Sequence, residues 1–180
     1  LEKEKSEVVL AQAASQLKES GYSNPVKKTH KTGFLVDSLK ELEEGTDMII
    51  VGKRGENANF ATEHLGSTME RMARAATKPS FVASREFKEV SRALISYDDG
   101  PSCRKAVDFV AESGMFSEAE IHLVTVSPNE EEEGSLKGLK NAEAILADSG
   151  RSLTCQMLHG EVAPTVIDYV NAKEINLLVM

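Results

Sequence analysis

The chain has 180 residues, 41% of them hydrophobic, and its 21 basic and 29 acidic side chains give a formal net charge of −8. The apolar content excludes long disorder. The acidic balance argues against a nucleic-acid-binding protein, which needs a basic surface to neutralise phosphates. Residues 1–86 carry 13 basic and 13 acidic side chains, whereas residues 87–180 carry 8 and 16. This difference between the halves indicates more than one domain.

The first half is predicted to alternate helices and strands. Apolar side chains three and four residues apart predict helices with buried faces at Leu10-Ala13-Ala14-Leu17, Leu35-Leu39-Leu42 and Met69-Met72-Ala73-Ala76. Short apolar or extended runs predict strands at Pro25–His30, Met48–Val51 and Ser80–Ala83. Because Met48–Val51 is continuously apolar, we expect it to be buried on both faces of a parallel sheet.

The alternation breaks at residues 85–91, a charged connector between two successive strands, and then resumes. Strands are predicted at Ala93–Ser96, Ile121–Val126, Thr154–Leu158 and Leu177–Met180. Helices are predicted with buried faces at Ala106-Phe109-Val110, Leu139-Ala142-Leu146 and Val166-Val170. Strands that alternate with helices form βαβ units. The sequence therefore predicts an α/β fold, a parallel twisted sheet with helices on both faces.

An internal repeat relates the two ends of the chain. When the sequence is shifted by 129 residues, residues 13–51 align with residues 142–180 without a gap, and Ser20-Gly21 meets Ser149-Gly150. The aligned segments share one register of predicted helices and strands. The sequence thus predicts a tandem repeat with two incomplete copies of one domain, and we expect the missing portions to belong to a longer protein.

The stretch from Val51 to Thr68 is the most informative for function. It leaves a buried strand, passes Gly52 and Gly55, and enters a helix at Gly66-Ser67-Thr68. Glycines allow a backbone to approach an anion closely, and helix N-termini bind phosphate, with Lys53 and Arg54 supplying charge. The alternative, that the glycines only turn the chain and Ser67 only caps the helix, is about equally favoured by the spacing.

A second candidate site is Ser96-Tyr-Asp-Asp-Gly-Pro-Ser102, in which a buried strand ends in paired acids before a helix. At the carboxyl end of such a strand, Asp98 can accept a hydrogen bond from a ribose hydroxyl or an adenine amine. The same residues are also good turn and N-cap residues, and taken alone the motif favours that structural interpretation.

Together these two stretches, with His159-Gly160 before a later helix, resemble the universal stress protein family in its tandem bacterial form. The resemblance implies a sheet with strand order 3-2-1-4-5, residues 1–86 as the C-terminal half of a first domain, and residues 87–180 as strands one to four of a second. It also implies a cytoplasmic stress-response or regulatory module that binds ATP or another adenine nucleotide, with or without Mg²⁺. The nucleotide contacts implied by position are Val51, Gly52, Arg54, Gly55, Gly66, Ser67, Thr68, Ser96, Asp98 and Val126.

Two features limit this assignment. The family pattern usually has nine residues between its second and third glycines, whereas ten separate Gly55 from Gly66. In addition, the glycine motif and Asp98 belong to different repeats, so neither repeat contains a complete site. The alternative function is therefore an interaction scaffold of the same fold that dimerises without nucleotide. A flavodoxin-like electron carrier is disfavoured because the chain has no Trp and few aromatic residues to hold a flavin.

Other classes of function find little support in the sequence. No nucleophile–base pair or metal-ligand spacing indicates an enzyme, although slow ATP hydrolysis or autophosphorylation at Ser67 or Thr68 is conceivable from the resemblance. Cys103 and Cys155 are expected to be packing residues, and the four histidines to be structural or exposed. Partners are expected to pair through edge strands, as a homodimer or between domains of one chain. Neither nucleic acid nor a membrane is expected as a partner, since no apolar run reaches the roughly 18 residues that span a bilayer.

Overall fold

A computed structural model of the chain describes residues 2–52, 67–84, 86–128 and 133–180. The chain divides into two compact units, residues 1–85 and residues 86–180. In both units the paired strands are parallel and helices connect them. The α/β prediction is confirmed, whereas the tandem repeat stays a prediction. Among the described helices, none is both long and apolar enough to cross a membrane.

In its described residues, the first unit contains three helices and a two-stranded sheet. Its elements are α1 (Glu2–Glu19), α2 (Leu35–Glu43), β1 (Ile49–Gly52), α3 (Ser67–Ala75) and β2 (Ser80–Ala83). β1 and β2 run parallel, with Ile49 opposite Ser80 and Gly52 opposite Ala83. The three predicted helices and two of the three predicted strands of this half are confirmed. The predicted buried faces of α2 and α3 are only partly correct, because Leu35, Leu42 and Ala73 are exposed.

The core of the first unit lies on one face of β1. Leu39 of α2 and Met69 and Met72 of α3 are buried there and pack against Ile49 and Val51. Both helices cover the same side of the strand, and successive side chains of a strand point to opposite sides. As a result Ile50 is 67% exposed. The prediction that this strand is buried on both faces is wrong within this unit.

Two further predictions for the first unit are wrong. Residues 25–30 form no strand and are exposed, because a strand needs a neighbour for its backbone groups and Pro25 has no N–H to donate. α1 exists, but its predicted buried face does not: Leu10 and Ala14 are only half-buried, whereas Ala13 and Leu17 are exposed. Helical spacing alone does not determine whether another element covers the apolar face.

The second unit is a four-stranded parallel sheet between helices. Its elements are β3 (Arg92–Ser96), α4 (Pro101–Glu112), β4 (Glu120–Ser127), α5 (Glu133–Asp148), β5 (Leu153–His159), α6 (Val162–Ala172) and β6 (Leu177–Val179). The strand order is β5-β4-β3-β6. From one edge of the sheet to the other, the strands are therefore the third, second, first and fourth of this unit in chain order. This corresponds to the first four positions of the order 3-2-1-4-5 implied by the resemblance.

Helices cover both faces of this sheet, as predicted. On one face Val107 of α4 and Leu139 and Leu146 of α5 pack against Ile95 and Ile121. On the other face, α6 packs Val166 and Tyr169 against Leu94 and Val124. The buried stripe of α4 is Cys103, Val107 and Val110. The predicted stripe was rotated by about one residue, because Ala106 and Phe109 are half-buried.

The edge strand β6 is fixed to β3 by backbone and side-chain bonds. Ala93 is opposite Leu177 and Ile95 is opposite Val179. Just before β6, the side chain of Asn176 accepts hydrogen bonds from the N–H groups of Ser91 and Arg92 at 3.2 and 3.1 Å and donates to the carbonyl of Glu89 at 2.8 Å. The beginning of β3 and the beginning of β6 are thereby held together.

Candidate functional site

The candidate site in the second unit lies where the parallel strands end. β3 leads into α4 on one face of the sheet, whereas its neighbour β6 is reached through α6 on the other face. In open α/β sheets, ligands bind in the crevice at the carboxyl ends of strands where the connections change face. Here that crevice is next to residues 97–100, which follow β3 directly.

Asp98 is exposed and held by its own turn. Its Oδ1 accepts a hydrogen bond from the N–H of Gly100 at 2.8 Å. The Cys103 thiol and this N–H lower the pKa of Asp98 below its ordinary value. A Cβ atom at position 100 would lie 2.8 Å from that Oδ1, so the carboxylate would have to shift if glycine were replaced there. The result is an ionised acceptor at the end of the central strand.

Asp99 has different neighbours from Asp98. The hydroxyl of Tyr97 donates to Asp99 Oδ1 at 2.7 Å, and Arg104 donates from Nε to Oδ1 and from a terminal nitrogen to Oδ2, each at 3.0 Å. We call these three side chains, together with Gly138, the Asp99 clamp. Burial, followed by the hydrogen bond to Asp99, raises the pKa of Tyr97 to about 12.

Gly138 of α5 completes this clamp. A Cβ atom at position 138 would lie 2.8 Å from Cγ of Asp99, so only glycine lets the helix approach the carboxylate this closely. Asp99 itself has a φ of 62°, a left-handed conformation that costs a residue other than glycine of order 1–3 kcal/mol. The clamp borders a cavity of about 510 Å³ between α4 and α5.

The predicted site residues of the second unit converge on this edge of the sheet. Ser96 is half-buried at the end of β3, and its carbonyl oxygen accepts a hydrogen bond from Cys103 Sγ at 3.3 Å. Ser96 is opposite Val124, and Val126, two residues farther along β4, is half-buried beside the core formed with α6. The structure therefore brings Ser96, Asp98 and Val126 to the same end of two adjacent strands.

The predicted phosphate residues belong to the first unit. Val51 and Gly52 end β1 opposite Val82 and Ala83. Ser67 and Thr68 are the first described residues of α3, so their position at the start of a helix stays a prediction of the glycine motif. Lys53, Arg54, Gly55, His64 and Gly66 lie outside the described residues.

Among the described residues, the histidines and cysteines do not form a second site. His122 is buried and its Nδ1 is 2.9 Å from the Tyr169 hydroxyl. His159 is exposed at the end of β5, and His30 is exposed in a segment that forms no strand. Within the described ranges, no group of three or more His, Cys, Asp or Glu side chains could hold a metal ion.

Sequence reasoning found Asp98 but missed the clamp. Arg104 and Gly138 have no motif of their own, since one is an exposed helical arginine and the other a glycine inside a helical pattern. A glycine inside a predicted helix is a signal of close approach by another group, and Gly138 fits that signal. The partner, Asp99, could not be read from the spacing.

Comparison with known proteins gives matches along the whole chain. All 180 residues align at 37% identity with a universal stress protein of Synechocystis sp., and the chain spans 62% of the length of that relative. A crystal structure of a universal stress protein from Archaeoglobus fulgidus covers 98% of this chain, with a TM-score of 0.74 and 20% identity over 64% of its own length. No family model matches the chain.

Proposed function

Because the chain belongs to the universal stress protein family, we propose that it binds an adenine nucleotide such as ATP and acts as a cytoplasmic stress-response or regulatory module. The observation that carries this proposal is the position of Asp98. Its carboxylate is ionised, exposed and fixed beside the crevice at the end of β3. This is the location at which α/β sheets recognise the adenosine part of a nucleotide.

The second unit offers candidate contacts to the adenosine part of a nucleotide. Asp98 would accept a hydrogen bond from a ribose hydroxyl or from the adenine amine, both of which are donors. Ser96 and Val126 belong to the ends of the same two strands, and Val126 would offer an apolar contact to the base. A mostly apolar wall with a few fixed polar groups is typical of small-molecule sites.

The first unit separately offers candidate contacts to phosphate groups. The glycine motif predicts that Ser67 and Thr68 lie at the start of a helix, where free N–H groups favour an anion. Gly52 at the end of β1 and the glycine motif that follows it would contribute further backbone donors, with Arg54 as a charged partner. Mg²⁺ prefers phosphate oxygens and water, so it would arrive bound to the triphosphate.

We further propose binding rather than catalysis as the primary role. Cys103 is a poor nucleophile, because burial raises the pKa of its thiol, and a thiol reacts as the thiolate. Association with partners would use the open edges of the parallel sheets, either in a homodimer or between domains of one chain. The second candidate function, a scaffold that binds no nucleotide, is favoured by the ten residues between Gly55 and Gly66.

Calorimetric titration of the full-length protein with ATP tests the proposal. We expect saturable micromolar binding. Replacement Asp98→Ala should weaken it about 10- to 100-fold, since hydrogen bonds to charged groups contribute roughly 1.5–3 kcal/mol. Glu112→Ala is the matched control, because Glu112 is an exposed acid at the opposite end of α4 from residues 97–100. The affinity of this variant for ATP should equal that of the wild type.

Two outcomes would contradict the proposal. Absence of binding heat at millimolar ATP would favour the nucleotide-free scaffold. Equal affinities of the Asp98→Ala and Glu112→Ala variants would remove Asp98 from the site, even if ATP bound elsewhere.

A further inference from the structure

We propose that the Asp99 clamp is a positioning device for Asp98: Tyr97, Arg104 and Gly138 hold Asp99 in a left-handed conformation, and this conformation directs the Asp98 carboxylate toward the nucleotide. The inference rests on the proposed function, because it needs Asp98 to bind the nucleotide. Tyr97, Asp99, Arg104 and Gly138 would not touch the ligand themselves. It would also make α5 part of the nucleotide site, although α5 contributes no predicted contact.

The first step concerns the turn that Asp98 forms. Its hydrogen bond joins Asp98 Oδ1 to the N–H of Gly100, so the bonded ring spans the backbone of Asp99. The geometry of that ring therefore depends on the backbone angles of Asp99, whose φ is 62°. If Asp99 relaxed to an ordinary conformation with negative φ, the Gly100 N–H would turn away and the Asp98 carboxylate would lose its anchor.

The second step concerns what keeps Asp99 in place. Its Oδ1 accepts from Tyr97 at 2.7 Å and from Arg104 at 3.0 Å, while its Oδ2 accepts from Arg104 at 3.0 Å. A paired arginine–carboxylate contact fixes orientation as well as distance. Tyr97 is itself buried and its backbone is tied to β4, since its N–H donates to Val124 and its carbonyl accepts from Thr125 Oγ1.

The third step is the contact with α5. Because a Cβ atom at position 138 would lie 2.8 Å from Asp99 Cγ and 3.0 Å from both Cβ and Oδ2, the helix and the carboxylate are already in close contact. Asp99 cannot move away from an added methyl group without changing its bonds to Tyr97 and Arg104. A small change on α5 would thus be transmitted to Asp98 through a chain of direct contacts.

The test compares Gly138→Ala with Gly134→Ala in the full-length protein. Both glycines lie on α5 and are one helical turn apart, but a Cβ atom at position 134 would meet nothing within 4 Å. Both substitutions replace glycine with a better helix former, but only the one at position 138 would meet the Asp99 side chain. We expect Gly138→Ala to weaken ATP binding by about tenfold, and Gly134→Ala to leave the affinity unchanged.

A double-mutant cycle separates positioning from general structural damage. If Gly138→Ala acts through Asp98, adding Asp98→Ala to it should weaken binding no further than Asp98→Ala alone. Fully additive losses would overturn the inference, as would equal affinities of the two glycine variants while the wild type binds ATP.

A readout that needs no nucleotide distinguishes failure of this inference from failure of the proposed function. Carbon-detected NMR titration of the Asp98 carboxyl group should show its pKa moving up toward the ordinary value in Gly138→Ala, but not in Gly134→Ala, because the bond from Gly100 is lost. An unchanged Asp98 titration in Gly138→Ala would overturn the clamp whether or not ATP binds.

Discussion

Asp99 adopts a left-handed backbone conformation at a position where glycine would be free of strain. Aspartate tolerates this region better than most residues, because its short side chain can bond locally. Here that side chain bonds instead to Tyr97 and Arg104, so the stabilising contacts and the strained angle occur in the same residue. The two contributions can be separated by substitution.

We predict that Asp99→Ala destabilises the second unit more than Asp99→Gly does. Both changes remove the carboxylate, but only alanine retains the left-handed strain. The difference in free energy of unfolding should be about 1 kcal/mol, measured by urea denaturation at pH 7. Equal stabilities of the two variants would mean that Asp99 carries no backbone strain.

At the residue scale, the sequence predicted a functional acid but not its support. Asp98 could be found because it directly follows a buried strand, and strand ends converge in a parallel sheet. The clamp could not be found, because it joins Tyr97 and Asp99 to Arg104 and to Gly138 on the next helix. Such contacts depend on how two helices pack, which local spacing does not encode.

Among the elements of the first unit, α2 carries a buried acid that ties down its neighbour. Glu43 is 6% exposed. Its Oε1 accepts from the backbone N–H of Thr77 at 2.8 Å and its Oε2 from the Thr77 hydroxyl at 3.0 Å. These bonds lower the pKa of Glu43, and the bond from the Thr77 N–H has the largest effect. They connect the end of α2 to the segment between α3 and β2.

We predict that Glu43→Gln lowers the melting temperature at pH 7. The folded pKa of Glu43 lies below its ordinary value of 4.5, so its contribution to stability is present above 4.5 and is lost as the pH falls through the folded pKa. The difference in melting temperature between the wild type and Glu43→Gln, measured by thermal denaturation, should therefore become smaller below pH 4.5. Glu44→Gln, at the exposed neighbour, is the control; a difference independent of pH would contradict this account.

Elements were predicted well where neighbours enforce the pattern and poorly where none does. The strands of the second unit are covered by helices and agree with their apolar runs. In contrast, residues 25–30 have strand-like composition but no partner strand, and Leu17 of α1 is 41% exposed despite its helical spacing. The burial of Glu43 was not predicted, because an acidic residue on a helix is normally exposed.

For the molecule as a whole, the alternation of strands and helices was sufficient to predict the fold class. The break at residues 85–91 also indicated a division, and the structure separates its two units between Arg85 and Glu86. Whether the units are portions of two copies of one domain stays a prediction. The register of parallel strands such as β3 and β6 could not be derived, because it depends on pairing between distant segments.

We predict that the connector between the units is a preferred site of proteolysis. Phe87 is 93% exposed in a segment without helix or strand, and Phe34 is 76% exposed in another. Exposed irregular segments are cut first, so brief chymotrypsin treatment should yield a fragment that begins at Lys88, identified by N-terminal sequencing. Phe87→Ser should abolish that fragment while cleavage after Phe34 persists; early cuts inside α4 or α5 would contradict the prediction.

The pairing of β6 with β3 has a consequence for synthesis. β3, which leads to Asp98, emerges from the ribosome long before Leu177, the first residue of β6. Until then β3 can pair only with β4, and one of its backbone edges remains open in the nascent chain. The crevice beside Asp98 is therefore the last part of this unit to be completed, and ligand recognition by this unit must wait until β6 has been made.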